Sequence, residues 1–205
     1  MMARMFSNGV VLCVVGLVLM LAVSLVLVLK VRNGIVSVVL NVMWMFLFVW
    51  SFREFVVDLY VVPTGSMIPT IEVDDQVLGN RLAARFGNWD VGDIVTFDSP
   101  EDEGVTLVKR VVAKGGDVVD LTDDGRLLVN NVVSHVGEGH VTGETRSYYD
   151  GVTFPYEVPS GHIFVMGDNR ENSGDSRVFG SVPESSLSSV VFLRVRPFER
   201  FGELS

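Results

Sequence analysis

The sequence predicts a mainly β domain preceded by an α-helical membrane hairpin. Three observations carry this. Val10–Leu29 is a run of twenty residues without a charge, and Gly34–Phe52 is a second apolar run close behind it. From about Tyr60 the texture changes to short β-branched runs separated by turn signals. No amphipathic helix of three or more turns is legible between residues 60 and 205.

Residues 1–9 form a short N-terminal tail, and residues 10–29 the first expected span. Twenty residues at the helical rise cover about 30 Å, the hydrocarbon thickness of a bilayer. A cleaved signal peptide is the competing reading. Its apolar core would run about 7–15 residues and end at a small-x-small site, whereas this run is longer and meets Lys30-Val31-Arg32. Residues 30–33 make a short loop. Residues 34–52 are the second span, interrupted only by polar Ser37, Asn41 and Ser51, with Trp50 near the end where an aromatic belt sits. A buried or re-entrant helix is the alternative there; the short connection favours a hairpin. Lys30 and Arg32 place the loop in the cytoplasm and both chain ends outside, an asymmetry that Arg4 reduces. Phe52–Tyr60 either continues the second span or lies at the interface.

Residues 60–198 form the β-rich domain. Its expected strands are Asp93–Phe97, Val105–Ala113, Asp117–Leu121, Leu127–Val133 and His162–Met166, with one helical turn at 81–86 and a loop at Gly87–Asp90. Arg4, Lys30, Arg32 and Arg53 against Glu54 and Asp58 give residues 1–59 a charge of +2, so the total of −9 leaves −11 on residues 60–205. A domain this acidic has no electrostatic reason to seek phosphate backbones, which argues against nucleic acid as a partner. Anionic headgroups would repel it too, so membrane contact depends on apolar surface. The single cysteine, Cys13, excludes an intramolecular disulfide and a cysteine-built metal site.

Three segments carry candidate chemistry. In Val62-Pro63-Thr64-Gly65-Ser66-Met67-Ile68-Pro69-Thr70, proline and glycine flank a serine where neither helix nor central strand can form. Such a turn can present a hydroxyl beside free backbone N–H groups, the arrangement an acyl-transfer nucleophile requires; standing alone, Thr-Gly-Ser is more usually a solvated turn. In Val105–Ala113, strand periodicity puts Val105, Leu107, Lys109, Val111 and Ala113 on one face, with Lys109 its only polar group. Burial there would lower the lysine pKa toward that of a useful base. The alternative is an edge strand protected by Lys109 and Arg110. The third segment, Gly167–Arg177, is a polar loop whose groups pair readily, either as solvated surface or as support for a site. His135, His140 and His162 are rival bases without an orienting carboxylate in their segments. A zinc site from His135 and His140 lacks any H-E-x-x-H pattern.

Together the stretches VVPTGSMIPT, GDIVTF (92–97), VKRVVAKGGD (108–117) and FVMGDNRENSGDSRVFG (164–180) resemble the type I signal peptidases, Ser/Lys-dyad proteases that remove signal peptides. They occur in family order over roughly residues 61–180. The resemblance implies a signal-peptidase-like β fold, Ser66 as nucleophile and Lys109 as general base. It implies that the Thr64 hydroxyl helps form the oxyanion hole, that Ser173 hydrogen-bonds the lysine amine, and that Asp175 and Arg177 form a supporting ion pair. Val62, Pro63, Met67 and Val108 fall where apolar side chains line the substrate pockets. Two departures stand out: Ala113–Asp117 replaces a more usual Gly-x-Pro-Gly-Asp turn, and residues 121–160 are short beside the second domain of some relatives.

The implied substrates are secretory precursor proteins, bound as an extended strand beside Val61–Thr64 or Thr106–Val108, with small apolar pockets favouring alanine-like residues at the first and third positions before the cut. No cofactor or metal is expected. A lysine base looks like the bacterial and organellar branch. The expected location is a bacterial plasma membrane, multi-pass, with the catalytic domain on the outer face; an organellar inner membrane is the second choice. A self-cleaving repressor-like relative and a catalytically silent membrane protein that binds precursor tails are the remaining alternatives.

Overall fold

The structure, a computed structural model, describes residues 34–147 and 151–204 together with Ala22, Val23 and Val26, with backbone alone at 48 and 51–55. The expected tail at 1–9, the loop at 30–33 and, those three helical positions aside, the span at 10–29 lie outside the described residues. The chain divides into two units, Met1–Asp58 and Leu59–Ser205. In the first, helix α1 (Gly34–Phe55) carries the second apolar run three residues beyond Phe52. Its valines and isoleucine have modest helix propensity, and it has no polar face: Ile35, Val39, Met43, Phe46 and Leu47 are all exposed. Asn41 satisfies its amide within the helix, donating to Ser37 O at 2.8 Å. Among the described residues no helix is long and apolar enough to cross a membrane.

The rest of the chain forms strands β1 (Val57–Val61), β2 (Gln76–Asn80), β3 (Ile94–Asp98), β4 (Thr106–Lys114), β5 (Val118–Leu121), β6 (Leu127–Val129), β7 (Val132–Val133), β8 (Tyr156–Glu157), β9 (His162–Met166), β10 (Val182–Pro183), β11 (Leu187–Arg196) and β12 (Gly202–Glu203). Short helices α2 (Arg81–Arg85) and α3 (Ser176–Phe179) interrupt them. The larger sheet runs β1-β2-β11-β3-β4-β9-β10 with β12 on β11; the smaller runs β7-β6-β5-β8. The mainly β expectation holds, and the turn expected at 81–86 is α2, capped by Asn80 Oδ1 accepting from Ala83 N at 3.0 Å.

Two departures from the expected strands have physical causes. Leu127–Val133 is a hairpin, because Asn130 and Asn131 take left-handed backbone angles (φ 54° and 62°) that close a tight turn between β6 and β7. The longest strand, β11, lies between β2 and β3, yet its serines broke the apolar pattern that would have announced it. Ser189 is buried there beside Thr96 Oγ1 at 2.8 Å and donates to Tyr60 OH at 3.3 Å, so the hydroxyl is satisfied inside the sheet. Gly79 opposite has no room for a Cβ, which would collide with the Ser189 side chain.

Strand β4 is interior, pairing with β3 (Val95 opposite Lys109) and β9 (Arg110 opposite Met166). The edge-strand alternative for Lys109 and Arg110 is thereby excluded. A bulge between Val111 and Ala113 turns both Val112 and Ala113 into the apolar core shared with the small sheet, alongside Val119, Leu127, Val158, Phe164 and Met166. A second core holds Val62, Met67, Ile71, Val77, Ile94, Val191 and Leu204.

Candidate active site

The segment following β1 is an irregular loop closed at its base. Val62 N donates to Asp75 O at 3.0 Å, and Asp74 N to Val62 O at 2.8 Å. Met67 and Ile71 anchor it in the core, while Gly65 and the two prolines keep it out of helix and ladder. Ser66 is thereby held with 9% of its surface exposed. Lys109, on β4 and 3% exposed, donates from Nζ to Ser66 Oγ at 2.8 Å.

The loop after β9 grips the same turn. Asn169 N donates to Ser66 O, and Asn169 Nδ2 to Gly65 O, both at 3.0 Å. Gly167 passes so close that a Cβ there would overlap Ser66 O and Ser173 Oγ. Buried Ser173 therefore packs against the backbone that touches the Ser66 turn. Asp175 is fully buried in a two-point pair with Arg177, Nε to Oδ1 and Nη2 to Oδ2 both at 2.8 Å. Its Oδ2 also accepts from Gly167 N at 3.0 Å, and its Oδ1 accepts from Arg177 N at 3.2 Å, capping α3.

Burial lowers the Lys109 pKa from 10.5 to about 8; Asp175 opposes the shift and Arg177 adds to it. Desolvation dominates because an ammonium inside the fold forfeits its hydration. The neighbourhood offers little compensation. Three buried guanidiniums (Arg110, Arg170, Arg177) and two carboxylates (Asp168, Asp175) already leave one net positive charge before Lys109 is counted. Adding a proton to the lysine raises that to two. A hydroxyl within hydrogen-bond reach of an amine whose pKa is lowered toward neutrality is the pairing that nucleophilic catalysis by serine requires.

A family model described as signal peptidase, peptidase S26, matches residues 35–196. The chain belongs to this family. Among relatives, the probable signal peptidase I-1 of Synechocystis is 31% identical over 164 residues, covering 74% of this chain and 78% of that protein. The mitochondrial ATP-independent inner membrane protease subunit 1b of Arabidopsis thaliana is 36% identical over 140 residues, covering 68% of this chain and 70% of that protein. Among solved structures, a signal peptidase I from Enterococcus faecalis V583 matches at 30% identity with a TM-score of 0.41, covering 50% of this chain and 95% of that one. Membership makes the chain a hydrolase of the serine peptidase class that acts on signal peptides.

In this signal peptidase chain, the remaining expected residues separate into two groups. Thr64 and Pro63 are exposed on the Ser66 loop, and Val108 is half-buried beside it on β4. Val62 and Met67 are core side chains, so they can back a pocket without offering it open surface. The histidines lie elsewhere: His135 is paired with Glu138 at 2.9 Å on the surface, His140 is exposed, and His162 Nδ1 lies 3.3 Å from Ser160 O. Among the described residues no group of His, Cys, Asp or Glu is arranged to hold a metal ion.

Sequence reasoning missed a second ion pair. Arg110 meets fully buried Asp168 at two points, Nε to Oδ1 at 2.9 Å and Nη2 to Oδ2 at 2.7 Å, and Thr70 Oγ1 donates to Oδ2 at 2.5 Å. Arg170, also missed, donates from Nε to Gly167 O and from Nη1 to Thr145 Oγ1, each at 3.0 Å. Burial, reinforced by Arg177, lowers its pKa to about 10. Residues 142–145 strap this region: Thr142 N donates to Asp168 O at 2.8 Å and Arg170 N to Thr142 O at 2.9 Å. The one signal for these residues was their place in the quoted GDNRENSGDSR and VKRVV stretches.

Proposed function

We propose that this chain is a membrane-anchored endopeptidase that removes signal peptides from secreted precursors, with Ser66 as nucleophile and Lys109 as general base. The reading rests above all on the 2.8 Å hydrogen bond between Lys109 Nζ and Ser66 Oγ, both buried. Neutral Lys109 takes the hydroxyl proton as Ser66 attacks the scissile carbonyl. The resulting ammonium protonates the leaving amine, and water, activated by the same lysine, deacylates the enzyme. With a pKa of about 8, roughly a tenth of the lysines are neutral at pH 7, rising to about nine tenths at pH 9.

The Ser66 N–H and the Thr64 hydroxyl are the proposed oxyanion donors, each contributing about 2–4 kcal/mol to transition-state stabilisation. Ser173 steadies the lysine amine. The Asp175–Arg177 pair holds the Gly167 backbone against the Ser66 turn. The precursor adds an extended strand beside Val61–Thr64 or Thr106–Val108, where Val61 and Thr106 are exposed. Pro63 and Val108 line the pockets, with Val62 and Met67 behind them. The anchor is a hairpin of residues 10–29 and 34–52, joined by 30–33. Its support is a helix without a polar face whose large apolar side chains lie exposed, a pattern suited to lipid. Lys30 and Arg32 orient the protease domain, residues 60–198, to the outer face of a bacterial plasma membrane.

Incubating the purified full chain with a model precursor tests the reading. Wild type should release one mature product, whereas Ser66→Ala should release none while keeping the wild-type circular dichroism spectrum and melting temperature. Processing by Ser66→Ala at near-normal rate would remove the nucleophile assignment.

A further inference from the structure

The loop that carries Ser66 is held by a second set of partners, two arginines that the proposed mechanism does not use. We propose that Arg194 and Arg200 are positioning residues for the nucleophile, locking the main chain of the Ser66 loop through its carbonyl oxygens. The inference rests on the Ser66–Lys109 reading.

Arg194, on β11, donates from Nη1 to Thr70 O at 2.7 Å and from Nε to Arg200 O at 2.5 Å, tying the two arginines together. Arg200 ends the short turn Phe198–Arg200 and donates from Nη2 to Pro69 O at 3.2 Å. Its Nη1 lies 2.6 Å from Glu72 Oε2 and 3.3 Å from Asp75 Oδ2. Asp75 is buried at the base of the loop, accepts from Glu72 N at 2.9 Å, and lies 3.5 Å from Arg194 Nη1. Residues 69, 70, 72 and 75 are thus all held by one pair of side chains.

The loop needs this because it has no ladder of its own. Between Val62 and Asp75 its main chain bonds to itself only in isolated turns, such as Ile71 N to Met67 O at 2.9 Å, and beyond the two arginines its carbonyls at 65, 66 and 68 are met by Asn169 and Thr142. A planar guanidinium can bridge two carbonyls at fixed geometry, which an ammonium cannot. Thr70 is where both sets of partners meet: its carbonyl accepts from Arg194 and its hydroxyl donates to Asp168, itself paired with the neighbour of Lys109. Releasing the carbonyl end lets the Ser66 turn shift relative to β4. A misplacement of about 1 Å in a reacting group costs on the order of 100-fold in rate. Val62 stays tied at the base of the loop by the Asp74 and Asp75 main chain, and Val108 lies on β4, so substrate contacts there would be little altered.

The test uses the full chain in detergent with a model precursor, measuring kcat, KM, melting temperature and the pH dependence of kcat. Arg194→Ala and Arg200→Ala should each lower kcat by about 10- to 100-fold, with KM changed by less than about threefold and the acidic limb of the pH profile in place. Arg200→Lys should recover part of the loss, since a point charge still reaches Glu72 and Asp75; Arg194→Lys should recover less. Val119→Ala, in the small sheet, is the control: it should lower the melting temperature with kcat unchanged. Wild-type kcat in the folded alanine variants overturns the proposal, as does a loss of kcat in Val119→Ala matching theirs. Should Arg194→Ala not fold, Arg200→Lys and Glu72→Gln decide the matter: a drop of a few-fold in kcat supports the brace, and unchanged kcat in both rejects it. Failure of the dyad reading is separately visible as activity in Ser66→Ala.

Discussion

Strand β4 passes through two kinds of interior. On one side of the β4 bulge, Lys109 and Arg110 join Asp168, Arg170, Asp175 and Arg177 in a buried set of charges beside Ser66. On the other, Val112 and Ala113 join Phe164, Met166, Val119 and Leu127 in an apolar core under the small sheet. The second interior is held by area removed from water, which is non-directional and tolerant of small changes. The first depends on the geometry of each pair, because a buried charge that loses its partner has nothing to replace its hydration. It also sets the protonation of Lys109. The contrast teaches that one strand can supply both holding energy and a reactive amine, provided the two environments are kept apart by a bulge of a single residue.

The sharpest way to probe the contrast is Lys109→Met. Activity should fall by about 10,000-fold or more, as expected when a base acting in concert with its nucleophile is removed. Stability should move the other way. The folded pKa, about 8, lies below the unfolded 10.5. Between these values the unfolded chain keeps a proton that the folded chain has shed, so stability rises with pH across the window. Below about pH 8 the folded state carries the full cost of a buried ammonium. Methionine removes that cost, so urea denaturation at pH 7 should show a gain of about 1–3 kcal/mol. A loss of stability would mean that the charged lysine is well accommodated.

Next in size is Asp168→Ala, which strands the Arg110 guanidinium and the Thr70 hydroxyl in the interior. Unfolding free energy should drop by about 3–5 kcal/mol. A smaller effect is expected on protonation. The rate of precursor cleavage should rise with pH through an apparent pKa near 8, and a flat profile across neutrality would argue against a lysine base. Asp175 raises the Lys109 pKa, so Asp175→Asn should move the acidic limb to lower pH while reducing the maximal rate through the lost Arg177 pair. A limb shifted upward would contradict the electrostatic account.

These expectations also mark how much the sequence disclosed. The strand carrying Lys109 was legible from alternation, and the family resemblance pointed to Ser66 through its motif; the turn alone was ambiguous. The edge-strand alternative would have left Arg110 exposed, because alternation assumes that one face of a strand meets water. That assumption fails when the strand lies between two others and residues 142–145 cover the loop beside it. Asp168 and Arg170 looked like ordinary loop polarity, since nothing in their spacing announces a partner 58 residues away. Strand β11 escaped for the opposite reason: its buried Ser189 is polar in sequence but satisfied in space. The legible parts rest on local pattern, and the missed parts on long-range pairing.

The smallest expected effect tests whether the two interiors are separable at all. Val119 is fully buried in the apolar core, on the small-sheet strand β5. Truncation to alanine removes two methyl groups and leaves a small cavity, costing about 1–3 kcal/mol. The neighbours are hydrocarbon, so they can relax toward the gap without stranding a polar group. Below the melting transition, the rate per folded molecule and the pH of the acidic limb should therefore match wild type. If Val119→Ala instead moved that limb, the apolar core would be setting the burial of Lys109. The bulge would then transmit packing changes into the charged region, and the division of labour along β4 would have to be abandoned.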